Sequence, residues 1–133
     1  MNRYKAREQA FIIIFQKLFT KDTDTAELFD FGISAGIFEE DEFSENIIKL
    51  IDANQEEVDG LIEENSIGWT IGRLPRVSLA LLRLAVCEML YIEDIPTGVS
   101  INEAVELAKK YATPEDASFI NGVLGTVAKK KEL

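Results

Sequence analysis

Residues 75–91 read PRVSLALLRLAVCEMLY, an apolar run interrupted by Arg76, Ser78, Arg83 and Glu88. The chain has three prolines and no useful period-two alternation, which argues against strands. The run therefore predicts a helix that is apolar on nearly every face. Such a helix belongs at the centre of an assembly, surrounded by others.

Working upstream, SIGWTIGRLP (66–75) is rich in glycine and closed by Pro75, the best internal boundary. It divides a single domain, 1–133, into helical halves of about 1–65 and 70–133 joined by a hinge. Before it, residues 44–65 place Ile47, Ile48, Leu50, Ile51, Val58, Leu61 and Ile62 at helical spacing, with a break near Asn54 and acids on the solvated face. A shorter helix is predicted from Thr25 to Ile37, capped by Asp24 or Thr25. The first helix runs from about Asn2 to Phe19 and ends in the polar turn TKDTDT.

Working downstream, EDIPTGV (93–99) reads as a turn, and Ser100 with Glu103 as a capping box opening the helix INEAVELAKKYA. Ile101, Ala104, Val105 and Ala108 form its buried stripe, and Lys109 and Lys110 suit its C-terminal end. Thr113-Pro114-Glu115-Asp116 is a further start signal, with Asp116 as a capping residue. The last helix is expected to reach about Lys130 and fray in a basic tail. Gly122 and Gly125 predict close packing against another helix, and Asn121 a hydrogen bond across a bundle. The fold class is all-α, two packed helical bundles with about seven helices.

The formal net charge is −10, unevenly spread. Residues 1–19 hold four basic groups against one acid, residues 20–68 two against fifteen, and residues 69–133 eight against eight. A basic N-terminus is thus free to act locally in an anionic chain. The basic-then-apolar start is interrupted by Arg7 and Glu8 and has no small-residue cleavage site, so it reads as mature sequence. The chain has no apolar run long enough to span a bilayer, and its lone Cys87 fits a reducing compartment. A cytoplasmic protein without membrane contact is expected.

Catalytic chemistry finds little support. Histidine is absent, and one cysteine without it is a poor nucleophile and offers no zinc spacing. Neither phosphate-cradling glycine motif occurs. The prediction is a binding protein, not an enzyme, with no catalytic residue, metal or cofactor.

Arg3 and Arg7 lie four apart on one helical face with Lys5 close by, so they form either a phosphate clamp or a solubilising tail. Phe11, Phe15 and Phe19 recur every four residues beside an apolar stripe, placing the first helix deep between the halves or leaving Phe15 partly exposed. Arg83 is a lone cation in the central helix, and an ion pair with Glu103 is expected.

Residues 73–130 carry RLP near Trp69, LLRLA, a proline turn around Pro96, INEAVELAKK and FINGVLG, in that order, with KAREQA near the start. This resembles the NusB family of transcription antitermination factors. The resemblance implies an all-α fold and a role in which the chain pairs with NusE, a small-subunit ribosomal protein. The pair would bind single-stranded boxA-type RNA and join the elongating RNA polymerase complex, especially on ribosomal RNA operons. It implies RNA contacts at Arg3, Lys5, Arg7 and Phe119, and NusE contacts at Phe15 and around Ser78. Ser78 and Leu79 stand where the family usually carries charge, and Tyr4 where a basic residue is common. The rival reading is a protein-binding helical scaffold with little RNA affinity of its own. A third, the NusB-like domain of an RNA methyltransferase, would need a catalytic module for which a chain ending at Leu133 has no room.

Overall fold

The computed structural model describes residues 1–131; Glu132 and Leu133, the end of the expected domain, lie outside the described residues. The elements are α1 (Arg3–Phe19), α2 (Thr25–Ser34), α3 (Glu42–Asn65), a 3-10 turn (Ile71–Arg73), α4 (Arg76–Tyr91), α5 (Thr97–Tyr111) and α6 (Pro114–Lys131). There is no strand among the described residues.

Every residue of α4 from Ser78 to Met89 is buried, as its sequence demanded. It packs against α1, α3, α5 and α6, so the helices of the two halves share one continuous core. A satellite cluster of Ile13, Phe29, Phe38 and Ile48 holds α2 against α1 and α3. Its ring stack, Phe29 on Phe38 at 6.0 Å, leaves no room for a side chain at Gly32, where an added Cβ would lie 1.9 Å from the Phe38 ring.

Local chemistry fixes the helix ends. Asn2 accepts the Lys5 backbone N–H at 2.8 Å, and Asp41 accepts that of Ser44 at 2.8 Å. Gln9 acts as a surrogate backbone for the segment before α3, donating to the Glu39 carbonyl and accepting its N–H, both at 2.8 Å. The expected break in α3 falls on Asn54, which has φ −129° and ψ 22° and whose amide donates to the Leu50 carbonyl at 2.9 Å. At the start of α6, the Thr113 hydroxyl accepts the Asp116 N–H at 3.1 Å and the Asp116 carboxylate accepts the Thr113 N–H at 3.3 Å, the expected capping.

Several expectations are corrected. Helix α2 stops at Ser34 rather than Ile37: Gly36 has φ +76°, and the N–H groups of Ile37 and Phe38 fold back onto the Gly32 carbonyl. Helix α5 starts at Thr97, directly after Pro96, so Ser100 lies inside the first turn and caps nothing. Arg83 does form a structural ion pair, but with Asp59 of α3 rather than Glu103, through two bonds of 2.8 Å. Gly122 and Gly125 pack against nothing, with no atom within 4 Å of an added Cβ, and Asn121 is exposed rather than bonded across a bundle. Nothing in the structure explains the two glycines.

Ser78 faces the interior, and its hydroxyl has no hydrogen-bond partner. A buried unpaired hydroxyl costs about 1–3 kcal/mol. Ser78→Ala is therefore expected to raise stability by about 1 kcal/mol in urea denaturation; a loss of stability would show that the hydroxyl is paired in solution.

Candidate nucleic-acid interface

Helix α1 brings the three basic residues of its first two turns to different surroundings. Arg7 turns inward, 3% exposed, and its guanidinium donates from Nε and Nη2 to the Glu88 carboxylate at 2.9–3.0 Å. Ser100 completes the shell, its hydroxyl donating to Glu88 Oε1 at 3.1 Å, and Glu103 lies 3.9 Å from Arg7 Nη1. A guanidinium so committed cannot grip a phosphate, which removes Arg7 from the expected clamp. The helical spacing of Arg3 and Arg7 was legible, but a partner 81 residues away was not.

Arg3 is exposed, with its guanidinium 4.3 Å from the centre of the Phe43 ring. It makes no ion pair among the described residues, yet it opens on a groove lined by Glu40, Asp41, Glu42 and Glu45. These acids weaken the local attraction for a polyanion. Lys5 is exposed, acts on Glu8 through its charge and does not line that groove.

A second group, missed by sequence reasoning, completes this end of the molecule. The last residues of α5 place Lys110 Nζ 2.6 Å and the Tyr111 hydroxyl 2.8 Å from the same oxygen, Glu8 Oε2. The Tyr111 ring packs on Phe11 at 5.1 Å and keeps a solvent-facing edge. Burial alone would push the Glu8 carboxyl up, but the hydrogen bonds from Lys110 and Tyr111 and the charges of Lys110 and Lys5 outweigh it, leaving its pKa below the ordinary value. The same bond to Glu8 holds the Lys110 ammonium above its usual range, and burial followed by Glu8 does so for the Tyr111 phenol. In the sequence Lys109 and Lys110 register only as a favourable helix end.

Phe119 is half-buried near the start of α6, and its ring partner is Trp69, edge to face at 6.3 Å. Trp69 is 44% exposed, so the pair forms an aromatic step open to solvent. Phe15 is likewise half-buried, in a row from buried Phe11 to Phe19, which is 63% exposed. Ser78 is fully buried and has no surface to offer a partner, contrary to expectation. It lies in the first turn of α4, beside half-buried Arg76 and Val77 but itself turned to the interior.

No cluster of metal-ligating side chains occurs among the described residues. The Cys87 thiol is pushed up to about 12 by burial and by the neighbouring Glu88 carboxylate, so it is inert as a nucleophile near neutral pH. No helix is long and apolar enough to cross a membrane among the described residues. What the site offers is surface cations and aromatic edges, the chemistry of nucleic-acid binding.

Residues 4–129 match the model of the NusB family. The transcription antitermination protein NusB of Acetivibrio thermocellus is 45% identical over 132 residues, covering 98% of this chain and 91% of that one. That of Agathobacter rectalis is 42% identical, covering 96% and 100%. Among solved structures, T. maritima NusB superposes with a TM-score of 0.84 at 33% identity, covering 100% of this chain and 99% of that one. A chain from the crystal structure of antitermination factors NusB and NusE in complex with dsRNA gives 0.84 at 28% identity, covering 98% and 99%.

Because Glu88 is buried, removing its cation strands an anion. Arg7→Met is expected to cost about 3–5 kcal/mol in chemical denaturation. The double variant Arg7→Met, Glu88→Leu should recover most of that loss; a single variant within about 0.5 kcal/mol of the parent would refute the structural role of the pair.

Proposed function

The chain belongs to the NusB family, and from that premise we propose that it binds boxA-type RNA together with NusE and acts in transcription antitermination and elongation on ribosomal RNA operons. Family membership makes it a binding protein rather than an enzyme. The observation that carries the RNA reading is the exposed cationic and aromatic end formed by Lys5, Lys110 and Tyr111, in a chain whose acids lie mainly in residues 20–68. Arg3 sits at the acidic border of this surface, and Phe119 with Trp69 supplies a stacking edge.

The RNA read is single-stranded. An A-form duplex hides its base edges in a deep narrow groove, whereas unpaired bases stack on aromatic rings and leave their phosphates to lysine and arginine. NusE would meet the row of Phe15 and Phe19, whose outward rings suit an interface anchor. The pair then joins the RNA polymerase elongation complex. A second reading, a protein-binding scaffold with little RNA affinity of its own, draws support from the internal commitment of Arg7 and the acids around Arg3.

The test is a titration of labelled boxA RNA and a scrambled control, with and without NusE. Discrimination is expected with NusE present; equal weak binding of both RNAs would favour the scaffold. Lys5→Ala should flatten the dependence of log affinity on log salt by about 0.7, one single-strand phosphate contact. Arg3→Ala should do so by less, because nearby acids already weaken its field. Phe119→Ala should weaken binding by about 1–3 kcal/mol. The chain has a single tryptophan, so RNA stacking on Phe119 should change the emission of Trp69 directly.

A further inference from the structure

Two hydrogen-bond donors on α5, one cationic and one phenolic, converge on a single anionic oxygen supplied by α1. Lys110 Nζ is 2.6 Å and the Tyr111 hydroxyl 2.8 Å from Glu8 Oε2, and Lys5 adds positive potential from the same helix as Glu8. The Lys110 ammonium also lies 5.3 Å from the centre of the Tyr111 ring. The phenolic donor is held by packing. The Tyr111 ring is wedged on Phe11, which fixes its hydroxyl, while the Lys110 side chain remains half exposed.

We infer that Glu8 is an internal stand-in for an RNA phosphate, occupying a Lys110–Tyr111 anion site that RNA must take over. A carboxylate and a phosphodiester each present a singly charged anionic group with oxygen acceptors, so the donor pair that holds one fits the other. While Glu8 is in place, it neutralises Lys110 and repels an approaching phosphate. When RNA binds, a phosphate oxygen replaces Glu8 Oε2 on Lys110 and Tyr111, and the Glu8 carboxylate turns out to water. An ion pair whose lysine is half exposed to solvent contributes little to stability, so the Glu8 latch can be released without endangering the fold. This inference rests on the RNA-binding reading above.

The experiment uses the full chain with NusE and a fluorescein-labelled single-stranded boxA-type RNA, followed by anisotropy. Glu8→Gln removes the charge and keeps the shape. It is expected to tighten RNA binding about three- to tenfold near 0.1 M salt, the size of one removed like charge at contact range. The salt dependence should steepen by about 0.7, because no freed carboxylate then takes up a counterion as the phosphate gives one off. Lys110→Gln alone should weaken binding only slightly, and in that background Glu8→Gln should gain little; a gain that persists undiminished would mean general repulsion and overturn the latch. If the parent binds RNA but Glu8→Gln binds equally or more weakly, the latch is overturned while the RNA reading stands. If neither binds labelled RNA with NusE present, both fall together.

Discussion

A carboxylate and a guanidinium taken out of water between three helices set the terms for the rest of this protein. The Arg7–Glu88 pair, with Ser100 as a third member, ties α1 to α4 and the first turn of α5. Hydrophobic burial drives the association of these helices, but it is non-directional and tolerates sliding. A buried ion pair does not. Moving α1 along α4 by one turn would carry Arg7 about 5.4 Å from Glu88 and strand both charges. The apolar surface of α4 supplies attraction in every direction, and the pair selects one register.

The same pair decides how much of the basic N-terminus reaches solvent. Of the four cations in residues 1–19, Arg7 is internal, and Lys17 is turned onto the carbonyls of Lys21 and Thr23, where it closes the chain between α1 and α2. Glu8 is matched by a lysine from the opposite half of the chain. The charge excess read from the sequence is therefore distributed among structural and surface duties, and of these four only the side chains of Arg3 and Lys5 make no hydrogen bond or ion pair among the described residues.

The residues that were legible act locally or through periodicity. Apolar spacing marks α1, α3 and the all-round burial of α4; Thr113 and Asp116 announce the start of α6; Asn54 marks a break. Partners across the fold were not legible. Arg83 had to be neutralised somewhere, yet nothing in the sequence singles out Asp59 over Glu103, because both stand at plausible helical positions. Ser100 carries the local signature of a cap and serves Glu88 instead, since Pro96 had already begun the helix. Ser78 resembles a surface position by comparison with charged counterparts elsewhere and is instead sealed in the core. At the candidate interface, Arg3 and Lys5 were visible as charge, while the meeting of Glu8, Lys110 and Tyr111 depends on two helices brought together by the fold.

Asn54 makes the direction of α3 a one-residue trait. Without a bend, 24 residues of helix would form a rod of about 36 Å, whereas this helix serves two neighbourhoods. Before the bend Ile48 faces the satellite cluster under α2 while Ile47 and Ile51 face the main core; beyond it Val58 and Ile62 continue that core, and Asp59 reaches Arg83. Proline would have achieved a similar turn only by deleting an amide donor. Asparagine keeps its N–H and adds a side-chain bond to the Leu50 carbonyl one turn back, so the elbow angle stays open to adjustment by substitution at that position, without reworking either surface it joins.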